Sequence, residues 1–195
     1  MADQAQQEAT FTQYFPQASF RPIAANEIAG KALKHFEEKG HLFIDRSQSE
    51  VQQLNNFFIV EHGDDTQTYV ARHIKGDKHC LYLYDTNNQG AYIGHGEIQF
   101  NTSSESDQFK DKPFMMFTVT NEDFRRKGYG LRRLYLMNAL SHTLYNLPLH
   151  SDILTSNGTE MEWKQDVCGV WKKAVTEGRA EAYEENSETR YAFLQ

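Results

Sequence analysis

The run Arg125-Arg126-Lys127-Gly128-Tyr129-Gly130 sets two glycines behind clustered cations, and the chain then turns apolar every three or four residues at Leu131, Leu134, Met137, Leu140 and Leu144. That spacing predicts an amphipathic helix opening at the glycines. A helix N-terminus leaves about four backbone N–H groups without intrahelical acceptors and carries roughly half a positive charge from its aligned peptide dipoles. Gly128 and Gly130 clear side chains from the approach and permit positive backbone angles, while Arg125, Arg126 and Lys127 add field. Such an end could cradle an anionic diphosphate. The Gly-Lys-Ser/Thr ending of a P-loop is missing, and so is the full dinucleotide fingerprint. By spacing alone the stretch also fits a glycine-containing turn before a core helix, with solvated basic residues.

The elements around it narrow the choice. "PFMMFTVT", residues 113–120, reads as a strand apolar on both faces, which belongs near the middle of a sheet. Upstream, "TYVARHI", "HCLYLYD", a turn at "TNNQG" and "AYIGHGEIQFN" read as strands, the last two forming an antiparallel hairpin. "TSSESDQFKDK" is a polar loop. "NEIAGKALKHFEEKG" places Ile28, Ala32, Leu33 and Phe36 on one helical face and stops at Gly40. A second helix is expected over "SQSEVQQLNNFF", capped by Ser49, with Val51, Leu54, Phe57 and Phe58 at helical spacing; "NFFIVEH" also reads as a strand. Beyond the glycine-led helix, whose Arg132, Arg133, Asn138 and His142 lie off the apolar stripe, come a short strand in "LPLHSDIL", a helix in "TEMEWKQDVCGVWKKAV" and a closing hairpin in "RAEAYEENSETRYAFL". This order indicates an α+β fold. Residues 1–21 form a polar lead-in and 22–195 a single domain, with helices in 22–65 and the sheet in 66–195.

Composition excludes several classes. At 195 residues the chain is one domain, and its net charge of −7 repels a nucleic-acid backbone and favours cationic partners. No His/Cys cluster has metal-ligand spacing, so no metal site is expected. Cys80 and Cys168 read as buried thiols. No apolar run suits a membrane span and no segment reads as a signal peptide, which makes the cytoplasm the expected location.

An apolar strand, the acidic linker "NED", an aromatic, then Arg125-x-x-Gly128-x-Gly130 opening an amphipathic helix resembles motif A of the GCN5-related N-acetyltransferases. The order of elements over residues 65–195 is similar as well. The resemblance implies a mixed, mostly antiparallel twisted sheet with helices on both faces, and acetyl-CoA as cofactor. It implies that the amides from Arg126 through Gly128, Tyr129 and Gly130 to Leu131 hold the pyrophosphate beside Arg125 and Lys127. The main chain of Phe117 and Val119 would pair with the pantetheine arm, and the acceptor would be a primary amine on a small molecule or protein, with residues 22–65 on the substrate side. "SDILTSNGTEMEW" resembles small acetyltransferase-like proteins encoded by bacteriophages.

The chain also departs from the family. The strand that often carries the glutamate base has no carboxylate in "PFMMFTV". Glu97, Asp152 and Glu160 are the nearest candidates, each with an ordinary reading as strand, loop or helix-start acid. The tyrosine acid falls on Trp163 or Lys164, leaving Tyr183, Ser156 or a water to replace it. Trp163 and Trp171 read as core, and Tyr82, Tyr84 and Tyr92 as sheet packing. Two other classes therefore stay open: an inactive CoA-binding or protein-binding module, and a nucleic-acid contact through "RRKGYGLRR" that the net acidity opposes.

Overall fold

The computed structural model describes residues 13, 18–22, 31–32, 34–35, 57–62, 66–75, 78–100, 111–152, 155–156, 159–160 and 165–194. Alternating apolar and polar residues from 67 to 100 fold as three antiparallel strands, β3 (Gln67–Lys75), β4 (Lys78–Asp85) and β5 (Ala91–Phe100), with the turn between the last two capped by the Asp85 side chain. Before them come β1 (Ala18–Pro22) and β2 (Phe57–His62). Phe57 and Phe58 are strand residues, so the expected second helix cannot extend over them; the rest of that stretch lies outside the described residues. Their β-favouring, bulky character and the pairing of Phe58 with Val70 prevail over the helical spacing.

β6 (Pro113–Thr120) follows β5 in the sheet, then β7 (His150–Ser151), β11 (Glu188–Phe193) and β10 (Ala180–Glu185). Among the described pairs only β6–β7 is parallel, so the sheet is mixed and mostly antiparallel and the fold is α+β. β8 (Thr155–Ser156) and β9 (Thr159–Glu160) make a separate small hairpin. Glu160 is therefore a strand residue and not part of a helix's first turn; the helix α2 begins later, at Gln165, and runs to Thr176.

The helix α1 (Tyr129–Tyr145) packs with α2 on one face of the sheet, around Leu81, Ile93, Ile98, Met137, Leu149 and Trp171. We call this the near face. Between sheet and α2, α1 has almost no wet side: every residue from Arg133 to His142 is buried. Arg133, Asn138 and His142, off its apolar stripe, are thus interior while Arg132 is half-buried, which corrects a simple amphipathic picture. Asn138 accepts the Leu149 N–H at 3.0 Å and Ser141 donates to the Leu147 carbonyl at 2.8 Å, so both are satisfied inside. On the far face, Ile59, Ala71, Cys80, Tyr82 and Tyr84 cluster with Ala32, and the described residues Lys31, Ala32, Lys34 and His35 are helical, so helices cover both faces. Cys80 and Cys168 are buried and in no disulfide. Among the described residues no helix is long and apolar enough to cross a membrane, and no group of His, Cys, Asp and Glu could hold a metal ion.

Candidate functional site

β6 pairs with β5 along its length but with β7 only at Phe114 and Met115. From Met116 onward its outer edge has no strand partner among the described residues. The register passes from Ile98↔Met115 to Glu97↔Phe117, so Met116 is an extra residue, a bulge, at the point where β6 and β7 part. Which backbone groups face that open edge follows from ladder alternation. The Asn121 N–H donates to the Ile93 carbonyl at 2.8 Å, which marks a hydrogen-bonded pair. Two-residue periodicity turns the groups of Val119 and Phe117 toward β5 as well, and those of Thr118 and Thr120 outward. By this alternation Thr118 and Thr120 present the outer edge, each one position along from Phe117 and Val119, the residues expected from the sequence to pair with a ligand.

The loop that follows is built on an anchor. Asn121 caps a 3-10 turn over Glu122–Phe124, and the Phe124 side chain is buried beneath it. Arg125 is extended, then Arg126 and Gly128 both take left-handed backbone angles, φ 61° and 83°. A left-handed arginine is uncommon and holds local strain, a feature that concentrates at ligand sites. Lys127 Nζ lies 5.3 Å from the centre of the Phe124 ring, which steadies the turn. Arg125, Arg126, Lys127 and Gly128 are exposed, and Gly128 directly precedes α1, whose Arg132 N–H closes on the Gly128 carbonyl at 3.2 Å.

The two glycines have different tasks. A side chain at Gly128 would meet nothing within 4 Å, so this position is open to a ligand. A Cβ at Gly130 would sit 3.2 Å from Val170 of α2; its smallness serves helix packing. Tyr129 is half-buried, its ring edge-on to Phe124 at 5.7 Å, and Leu131 packs on the near-face core.

On the far face, Glu97 stands opposite Phe117 on β5, two residues from His95, which stands opposite Val119. His95 Nδ1 shares a short hydrogen bond with the Tyr92 hydroxyl, and its ring stacks on Tyr82 at 5.3 Å. His35 stacks on Tyr92 at 4.4 Å and bonds the Tyr84 hydroxyl at 3.2 Å. Burial pushes the Tyr92 phenol up to about 12 and Tyr82 and Tyr84 further, so all three stay protonated. This polar aromatic cluster was missed in the sequence, where the tyrosines read as packing alone. The signal was present: Tyr92, His95, Glu97 and Gln99 set polar groups among the apolar and glycine residues of this strand.

Glu97 lies on β5, which flanks β6 on one side, and Asp152 directly follows β7, which flanks it on the other. Tyr183 does not join them. It lies on β10, beyond β7 and β11, and its hydroxyl is bonded to His150 Nδ1 at 3.1 Å. Burial raises the Tyr183 phenol and lowers His150 to about 4, so the pair is a neutral contact. The side chains of Ser156, Glu160 and Trp163 lie outside the described residues, whereas Trp171 is fully buried core.

No family model and no curated protein matches the chain. Among solved structures it is similar to Arabidopsis thaliana NAA60 in complex with acetyl-CoA, with 11% identity over 91% of this chain and 97% of that one and a TM-score of 0.41. An aminoglycoside acetyltransferase from an uncultured soil metagenomic sample, in complex with sisomicin, is 8% identical over 82% of this chain and 88% of that one, with a TM-score of 0.38. A Vibrio cholerae integron cassette protein is 13% identical over 88% and 94%, with a TM-score of 0.36. Likeness at this level establishes neither family nor activity, and the site must speak through its own geometry.

Proposed function

We propose that this protein is an acetyl-CoA-dependent N-acetyltransferase acting on a primary amine of a small molecule or protein. The observation that carries the reading is the exposed, left-handed loop at Arg126–Gly128, set between the open outer edge of β6 and the N-terminus of a buried helix. The residues fit a CoA thioester. The amides from Gly128 to Leu131 and the cations of Arg125, Arg126 and Lys127 suit its pyrophosphate, and the outward groups of Thr118 and Thr120 suit the amide-bearing arm. When bound, the thioester would supply an activated acyl group.

The rest is the work of side chains. The acceptor enters as an ammonium ion, and a neutral amine is the nucleophile, so a proton must leave it. Glu97 is the carboxylate opposite β6, and His95 with Tyr92 beside it offers a path for that proton along the far face. Asp152, across β6, serves to attract the cation, in keeping with the chain's net charge of −7. Holding the amine and carbonyl together would supply much of the rate.

Replacement of Gly128 by Glu tests the cofactor site, because it puts a bulky anion on a left-handed residue in the open approach. CoA binding by calorimetry should fall at least a hundredfold; wild-type affinity in that variant would sink the proposal. A second reading, a CoA-binding module without turnover, is favoured by the carboxylate-free β6 and by the engagement of Tyr183 with His150. Thiol release from acetyl-CoA across polyamines, aminoglycosides and basic peptides distinguishes the two.

A further inference from the structure

Arg133 is a cation in an unexpected place. It is 3% exposed, on the near-face side of α1, and remains protonated at neutral pH even though burial lowers it to about 10. Its Nη1 donates to the Val119 carbonyl and its Nη2 to the Thr120 hydroxyl, each at 2.9 Å, while Nε has no acceptor. No carboxylate among the described residues pairs with it. A buried charge is costly unless it is paired, and neutral donors would pin β6 equally well.

A second guanidinium meets the same residue from outside: Arg125 Nε donates to the Thr120 carbonyl at 3.4 Å. Two like charges therefore converge on the last residue of β6, just before the left-handed loop. The acid near Arg125 is Glu122 at 3.9 Å, and both of those side chains are largely exposed. β5 is shaped to admit the buried arginine. A Cβ at Gly94 would lie 2.8 Å from Arg133 Nη1, and one at Gly96 would lie 3.4 Å from its Cδ and 2.6 Å from the Met137 sulfur. Glycines at both places keep a channel in which the side chain crosses β5 to reach β6.

We infer that Arg133 is a positioning residue for a diphosphate-bearing ligand: it clamps the end of β6 to α1 and adds a buried positive charge at the strand end that leads into the anion-binding loop. This rests on the cofactor reading above and goes beyond it, because the loop supplies only exposed cations that salt screens, whereas Arg133 acts through low-dielectric protein.

The test compares CoA, by calorimetry, with inorganic pyrophosphate as its competitor, in wild type, Arg133→Gln and Arg133→Lys. Arg133→Gln should weaken both ligands by the same factor, about tenfold, since both lose one buried charge; Arg133→Lys should recover most of it. A clamp without an electrostatic role would weaken CoA and leave pyrophosphate unchanged, and that result overturns the inference, as does a Gln variant with wild-type affinities. Pyrophosphate that fails to compete with CoA in the wild type also overturns it. Wild type that binds no CoA defeats the cofactor reading itself. Should the Gln variant not fold, the Arg133 Nε–H resonance of the labelled wild type decides: it must shift on adding pyrophosphate, and a resonance that stays in place overturns the proposal.

Discussion

The two faces of β5 carry opposite chemistry on one strand. Toward α1 stand Gly94 and Gly96, whose lack of side chains admits the Arg133 cation. Toward the far side stand Tyr92, His95 and Glu97, the first two in a cluster of phenols and imidazoles that stack and share hydrogen bonds. The near face stores fixed charge close to the loop that suits an anion, and the far face holds groups able to pass a proton. Because successive strand residues point to opposite sides, a single strand keeps these two chemistries apart by the thickness of a sheet.

The contrast breaks most visibly at Gly94. A Cβ there would lie 2.2 Å from the Val119 carbonyl as well as against Arg133, so Gly94→Val should cost about 3 kcal/mol of stability in urea unfolding and loosen CoA binding with it. A stable variant with normal CoA affinity would show that the near face does not depend on that channel.

Acid reveals a smaller effect. Burial lowers His142, which is 5% exposed, to about 4. The unfolded chain then takes up its proton first, so this stability is complete above the ordinary histidine value near 6.5, falls with pH and is exhausted near 4. The loss is about 3 kcal/mol for His142, and His79 and His150, lowered in the same sense, add to it. Denaturant midpoints from pH 7.5 to 4 would measure this, and His142→Gln should flatten the slope.

On the far face, Tyr92→Phe removes one hydroxyl from the His95 contact and should cost about 1 kcal/mol. CoA affinity should stay within twofold, and a larger change would mean that the faces are not separate. Smallest is Arg125→Ala: this exposed cation should contribute about threefold to CoA affinity at low salt and almost nothing at high salt.

Much of this was readable from residues. The strand-loop-helix around Gly128 was legible because glycine, cations and a helical apolar stripe act locally, and β3–β5 and the closing hairpin were legible from alternation and turn residues. Phe57 and Phe58 were harder, since the same apolar spacing serves a helix until a partner strand is present. Arg133 could not be read as interior, because an arginine off an apolar stripe is ordinarily solvated and only the packing of α1 onto β5 and β6 encloses it. Which backbone groups of β6 face outward was not readable from the sequence, since alternation has no origin until one hydrogen bond is located.

Local chemistry in the chain determined where turns, strands and the anion-attracting helix end fall, because backbone angles, capping and periodicity depend on neighbours a few residues away. Tertiary structure alone decided which edge of β6 lacks a strand partner among the described residues, which glycine stands in open space and which packs on a helix, and why one cation lies buried at the end of β6. Those depend on residues brought together from β5, α1 and α2, whose separation in sequence leaves no periodic trace.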